Sequence, residues 1–416
     1  MITPSFALTA TERVLPSMAL DFTTASLDSR VTFTRTGNTA TVINSSGNVA
    51  AINADLPRFD YNPVTLACKG LLIEEARTNL FLYSAEFDNA YWTKTRSSIT
   101  ANATISPEGS LTGDKLVENL DNGTHIIVRT ETTTNTSANT WSIYAKAGER
   151  PSINISVREA TTFLRSSNAT FNLSAGTVGA VSNAGGSSGT ATIQNAGNGW
   201  YRCSLTITLG GVNTNSQAFF QINNGSASSY QGNGTSGIFV WGAQLELGGF
   251  TTSIIPTEAT TVTRNPDVAV MTSTNFSDWY TATTGAAVVW AIPQTATGVR
   301  PLIQFDDTTA NEIIVLGGNV ANPEMSIVDG GVAQAQIDAG TIVANTAYKL
   351  SGAWNTDSCA AAQNGAAAVT DNTATIPTPT QLRIGSDGTN YASAWVQKVL
   401  YYPQRIIDAE VQAISK

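Results

Sequence analysis

Charge is scarce in this sequence. Asp, Glu, Lys and Arg supply 13% of the 416 residues, about half of the ~25% usual in a globular domain. Thr, Ser, Asn, Gly and Ala take their place. Acids outnumber bases by 31 to 22, for a formal charge of −9. No Lys/Arg cluster supplies a local basic field, so nucleic acid is excluded as a partner. Histidine occurs once, at His125, which rules out a three-histidine or HExxH metal centre. A Ser-His-Asp or Cys-His mechanism would have to use that residue. It opens a predicted strand in "NGTHIIVRT", and the chain has neither GxSxG nor the setting of a cysteine nucleophile. Cys68, Cys203 and Cys359 are odd in number and far apart. That argues against a disulfide framework or a CxxC site and for buried free thiols. Apolar runs such as "GAAVVWAIP" fall well short of the ~20 residues needed to cross a bilayer, so no membrane insertion is expected. The start, "MITPSFALTATERVLPSMAL", lacks the basic-then-apolar pattern of a signal peptide, and folding in a cytoplasm is expected.

What the chain does have is alternation. After residue 120, apolar and polar residues follow one another at period two, the mark of half-buried strands. In "SINISVR", Ile153, Ile155 and Val157 share one face and Ser152, Asn154, Ser156 and Arg158 the other. In "WYRCSLTITLGG", Tyr201, Cys203, Leu205, Ile207 and Leu209 align, and in "GIFVWGAQLEL" Phe239, Trp241, Ala243, Leu245 and Leu247 do. One buried face per strand predicts antiparallel sandwiches. The intervening "GNGW", "NNGSASSYQGNGTSG" and "SNAGGSSGTATI" are turn and loop compositions.

The predicted fold class is all-β: two antiparallel jelly-roll or β-sandwich domains preceded by an extended N-terminal arm. Residues 1–84 form the arm and strap, 85–258 a jelly roll, 259–271 a linker and 272–416 a second sandwich. In the last, "AAQNGAAA" signals a type I′ turn at Asn364-Gly365. "PQRIIDAEVQAISK" reads as a helix starting at Pro403 with Ile406, Ile407, Val411 and Ile414 near one face.

Candidate chemistry is thin. Glu74 and Glu75 are adjacent carboxylates, but neighbours in an extended chain point opposite ways, whereas a glycosidase pair must flank one bond. Asp306, Asp307 and Glu312 in "QFDDTTANE" offer oxygen ligands for a calcium ion, at a spacing unlike an EF-hand; a solvated turn is the expected reading, and no cofactor is required. Glycine-rich stretches such as "LGGNV" lack the Lys-Ser/Thr of a P-loop. Among the aromatics, Trp241 and Trp354 are expected in the core. Trp200 falls out of phase with the buried face of its own strand, and Tyr230 and Tyr391 stand in Gly/Ser/Asn-rich loops. These three are the candidates for stacking on sugar rings.

One stretch reads differently: "LPRFDYNPVTLACKGLLIEEARTNL", Leu56 to Leu80, with six charges in 25 residues. Together with the preceding "LDFTTASLDSRVTFTRTGNTATV", it resembles the N-terminal signature of tailed-bacteriophage and prophage virion proteins described as head-spike, head-fibre or tail-fibre. The match covers roughly residues 14 to 83. "FDNAYWTKT", "GWYRCSLTI", "GAQLELGGFTTSIIPT" and "TVTRNPDVA" are similar to the family's carbohydrate-binding-module-like jelly roll. "YKLSGAWN", "AAQNGAAAV" and "QKVLYYPQRIIDAEV" resemble a concanavalin A-like, laminin-G-type lectin domain.

The resemblance implies a non-enzymatic structural protein on the virion surface, a fibre, spike or decoration subunit made in the host cytoplasm. It implies partners among capsid or tail proteins and contact with host-surface glycan. No catalytic residue comes with it, and head or tail location stays open. The strap would be structural, with Arg58, Asp60 and Arg77 as virion-docking residues. A polar N-terminal segment that needs a surface to order against suggests a homo-oligomer, a trimer being favoured. The alternative is an architectural cement protein that binds no sugar, and a polysaccharide depolymerase is the third reading.

Overall fold

The computed structural model describes residues 14–416 apart from 38, 212–214, 320 and 321. Two compact units meet at Asp267/Val268: residues 33–267, and residues 268–416 with the described part of 1–32. The chain is all-β, as its alternation predicts, and the strands within each unit pair antiparallel. The expected N-terminal arm is not separate. Met18–Asp21 pairs with Ala394–Tyr402 in the second unit, and residues 33–84 are built into the first.

In the 33–267 unit two sheets enclose the core. One runs Ser188–Asn195, Trp200–Thr208, Asn139–Ala147, Gly237–Leu247, Gly113–Glu118, Ser97–Thr104; the other runs Thr177–Val178, Ser166–Asn172, Ser152–Glu159, Asn215–Asn223, Ile126–Thr132, Thr93–Thr95. Register carries out what the alternation promised. Trp141 lies opposite both Leu205 and Leu245, and Ile143 opposite Cys203, so their side chains enter the layer between the sheets beside Ile153, Ile155 and Val157.

The first sheet departs from the one-face expectation. The first seven residues of Asn139–Ala147 are all buried. Its second face is covered by a hairpin of Ala40–Ile43 against Val49–Ile52 and by Ile254, which pack on Tyr144, Trp200 and Trp241. The hairpin's turn is set by Asn44, whose Oδ1 accepts from Ser46 N at 2.9 Å and Asn48 N at 3.1 Å. We call this the covered sheet and its partner the open sheet.

A bulge re-phases the strand Gly237–Leu247. Ser142 pairs with Gln244 and Tyr144 with Trp241, so Gly242 and Ala243 together oppose Ile143. Gly242 has φ +60°, the left-handed value that a glycine-led bulge uses. Before it Ile238 and Val240 face the inter-sheet core; after it Ala243 and Leu245 do. Trp241 therefore sits on the opposite face from Ala243 and Leu245, not in line with them. Leu247, which strict alternation would bury, is 47% exposed.

In the second unit, one sheet orders Val369–Asp371, Ser358–Gln363, Tyr348–Asn355, Gly285–Pro293, Ala394–Tyr402 and Met18–Asp21. The other orders Val268–Thr272, Gln381–Ile384, Arg300–Asp306, Ile313–Asn319, Asn322–Asp329 and Val332–Asp338. Phe305, Trp354 and Tyr401 meet in its core, with Phe305 to Trp354 at 5.5 Å between ring centres. The Asn364-Gly365 turn forms with φ 49° and 77°, closed by Ala366 N to Gln363 O at 2.8 Å. The C-terminal helix is shorter than expected, Asp408–Ile414, because Ile407 stays extended as its N-cap. Ile406 and Val411 are buried, whereas Ile407 is exposed.

Candidate functional site

The strap's charges turn inward. Arg58 Nη1 and Arg264 Nη1 both donate to Glu74 Oε2, at 2.7 and 2.8 Å. Arg35 Nη1 and Arg58 Nε hold Asp267 Oδ1 at 3.1 and 3.2 Å. All five side chains are wholly buried. Ser253 completes the Glu74 shell, its N donating to Oε1 at 2.8 Å and its Oγ to Oε2 at 2.7 Å. Burial alone would push the Glu74 carboxyl up, but Arg264, Arg58 and the Ser253 bonds outweigh it and hold it well below the usual range. Burial would likewise lower Arg58, yet Asp267 and Glu74 keep it above its ordinary value.

Arg58 is therefore no docking residue. A surface contact would have to pull a guanidinium out of a cluster that already satisfies it. Asp60 is also buried, accepting from Ile43 N at 2.6 Å and pairing with Lys69 at 2.9 Å. Arg77 pairs with Glu75 and lies over the Phe250 ring at 5.0 Å. These three charges fasten the strap within this chain instead of presenting a patch to another. Glu74 and Glu75 do diverge, one buried and one half-exposed, and form no catalytic pair.

Trp200 is 1% exposed, with Nε1 donating to Ile105 O at 3.0 Å. Its being out of phase reflects the covering hairpin, not an outward ring, and the expected sugar contact is corrected. Tyr230 is half-buried; its hydroxyl donates to Glu118 Oε2 at 2.7 Å, and Arg150 lies over its ring at 5.1 Å. Tyr391 is half-buried too, its carbonyl accepting from Arg300 Nη1 at 2.9 Å. Tyr230 and Tyr391 belong to different units. His125 is buried, with Nδ1 2.7 Å from Arg96 O and Nε2 3.3 Å from Tyr230 O. Both ring nitrogens thus face main-chain carbonyls, not a nucleophile.

Asp306, Asp307 and Glu312 do not converge. Asp306 is buried against Arg383 Nε at 2.9 Å and Gln304 Nε2 at 3.0 Å. Asp307 caps its own turn through Thr309, whose hydroxyl and N–H hold its carboxyl below the usual value. Glu312 accepts from Gly330 N and Thr378 N. Among the described residues no cluster of three or more His, Cys, Asp or Glu is placed to hold a metal ion. A cavity of about 150 Å³ in this unit is lined by Val299, Pro301, Gln304, Val315, Glu324 and Asp387. Gln304 in its wall is committed to Asp306, and Glu324 to Ser326 and Gln336.

The feature with the chemistry of a binding surface is the outer face of the open sheet. Because side chains alternate, register alone assembles it in rungs across four strands. Thr130, Gln217, Arg158 and Ser166 form one; Val128, Phe219, Ser156 and Asn168 the next; Ile126, Gln221, Asn154 and Thr170 the third. Rungs recur about every 7 Å along the strands, and strands stand about 4.8 Å apart, which gives room for about two or three sugar rings. Amides and hydroxyls that both donate and accept dominate the face, and most are half-buried or exposed.

On the first of these rungs the Arg158 guanidinium lies between two rings, 4.2 Å from the Phe163 centroid and 4.6 Å from that of Phe219. Gln217 Oε1 accepts from Arg158 Nε at 3.1 Å and Nη2 at 2.7 Å, while its Nε2 donates to Thr130 Oγ1 at 3.3 Å. Phe163 is held over the guanidinium by a loop in which it takes φ +57°, an uncommon value for a ring-bearing residue, and it is 53% exposed. Sequence reasoning placed Arg158, Ser156 and Asn154 on the polar phase of their strand but did not single them out. The Phe219-Phe220 pair was the signal missed: adjacent residues in a strand face opposite ways, so one ring must leave the core.

No family model and no curated protein sequence matches the chain. Among solved structures it is similar to the CBM40 module of Ruminococcus gnavus IT-sialidase bound to α2,3-sialyllactose, at 12% identity over 33% of this chain and 84% of that one, TM-score 0.28. Domain 4 of AbnA, a GH43 extracellular arabinanase from Geobacillus stearothermophilus, in complex with arabinotriose, matches at 12% identity over 40% and 82%, TM-score 0.29. Domains LG4-5 of the mouse laminin α1 chain match at 8% identity over 68% and 85%, TM-score 0.25. Likenesses this remote leave function to be argued from this chain's own residues.

Proposed function

We propose that this chain is a non-enzymatic, glycan-binding protein of a bacteriophage virion surface, and that the open sheet face of residues 33–267 is where host-surface glycan is held. The observation that carries the glycan half is the Phe163–Arg158–Phe219 stack set among amide and hydroxyl rungs. Sugars present hydroxyls that need paired donors and acceptors, and a flat CH face that packs on aromatic carbon. The open sheet supplies both on a rigid scaffold. The virion half rests on the resemblance of residues 14 to 83 alone, as do the placement on the particle and a trimeric state. The first test is a glycan array probed with the full chain and with Phe219→Ala. Binding by the parent and at least a tenfold loss in the variant, at unchanged melting temperature, is the expected result. Absence of binding to any glycan would favour the cement reading, and release of reducing ends from a bound polysaccharide would restore the depolymerase.

A further inference from the structure

Arg158 has no acidic partner among the described residues. Its guanidinium lies against the Phe163 and Phe219 rings, and its only hydrogen-bond partner among the described residues is the neutral Gln217 Oε1, reached from Nε and Nη2. No carboxylate of a described residue pairs with it. Its pKa is lowered by burial with no offsetting acid, unlike Arg150, which Glu118 holds above its ordinary value. Leaving a guanidinium partly desolvated and without a counter-charge is costly unless a ligand completes it.

The setting also limits what that ligand can be. A formal charge of −9 gives no long-range attraction for polyanions, so recognition has to come from this one fixed group and its near neighbours. Clamping by two rings and by Gln217 on the Nε–Nη2 edge removes most of the side chain's freedom, and the remaining Nη1–Nη2 edge offers two parallel N–H groups that match a carboxylate's two oxygens. Ser166 is its cross-strand neighbour on the same rung, and Ser156 and Asn168 lie on the next, all of them hydrogen-bonding types suited to sugar hydroxyls.

We propose that Arg158 anchors the carboxylate of an acidic sugar on the open sheet face, so that the glycan recognised is a uronate-bearing or otherwise carboxylated one. This rests on the glycan-binding reading and deepens it. Phe163 and Gln217 act as positioning residues.

The test measures binding of the full chain to a panel of oligosaccharides in matched pairs, each carboxylated member beside its methyl ester, with sulfated and neutral sugars included. Carboxylated members should bind at least tenfold better than their esters, and Arg158→Gln should abolish that preference while the melting temperature holds. Arg158→Lys, which keeps the charge but loses the fork, should retain only part of it. Phe163→Ala should weaken carboxylate binding by a larger factor than it weakens ester binding. Equal binding of acids and esters, unaffected by Arg158→Gln, would overturn the carboxylate assignment and leave the glycan-binding reading standing. Preference for sulfated over carboxylated sugars overturns it as well. Failure of every sugar to bind removes both.

Discussion

Arg58 donates to Glu74 across 2.7 Å with neither side chain exposed at all, the two standing 16 positions apart in sequence. That pair, shared with Arg264 and Asp267, ties the strap to the end of its own unit. Removing one partner leaves an uncompensated buried charge, so Arg58→Met or Glu74→Gln should each cost about 3–5 kcal/mol, read as a shift in denaturation midpoint. A loss below about 1 kcal/mol would show that the cluster is open to water.

The same carboxylate sets an acid limit. Its folded pKa lies below the 4.5 of the unfolded chain. The unfolded state therefore takes up a proton first as pH falls. Glu74's contribution is complete above that value and is lost progressively as pH drops below it. Urea midpoints measured between pH 7 and pH 3 should fall steeply at the acid end for the parent and less steeply for Glu74→Gln. Parallel curves for the two would contradict this assignment.

Trp200 and Phe219 should separate stability from binding. Trp200→Ala opens a hole beneath the covering hairpin and should destabilise by roughly 3–5 kcal/mol while the folded fraction still binds glycan normally. Phe219→Ala, on the half-exposed face, should do the reverse.

At the bulge, a Cβ on Gly242 would meet Tyr144 Cδ2 at 3.1 Å and would force a side-chain-bearing residue to φ +60°. Gly242→Val should therefore cost roughly 1–3 kcal/mol, more than the same exchange at Gly249, where a Cβ meets nothing within 4 Å. Equal melting temperatures for the two variants would argue that the strand carries its phase without the bulge.

The thiols differ in access. Burial pushes the Cys203 thiol far up and that of Cys359 up to about 11, and both side chains are buried, whereas Cys68 is half-buried. At pH 8, thiolate reagents should modify Cys68 in the native protein and all three after unfolding. Rapid native labelling of Cys203 would mean that the inter-sheet core opens.

The sequence by itself determined the class and most of the strands, because period-two alternation is a local property: Ile153, Ile155 and Val157 are buried and Arg158 half-exposed as their phase requires. It determined the Asn364-Gly365 turn for the same reason, since positive φ at both positions is a preference of those residue types. Tertiary structure alone decided what covers each face. Trp200, Trp241 and Arg58 are buried because a hairpin and strap distant in sequence lie over the covered sheet, and nothing in a strand's own pattern tells which segment will lie on its polar-looking side. The candidate site is decided the same way. Thr130, Arg158, Ser166 and Gln217 form one rung only because four strands pair in a particular register, and a shift of one residue in any of them would turn its members into the core.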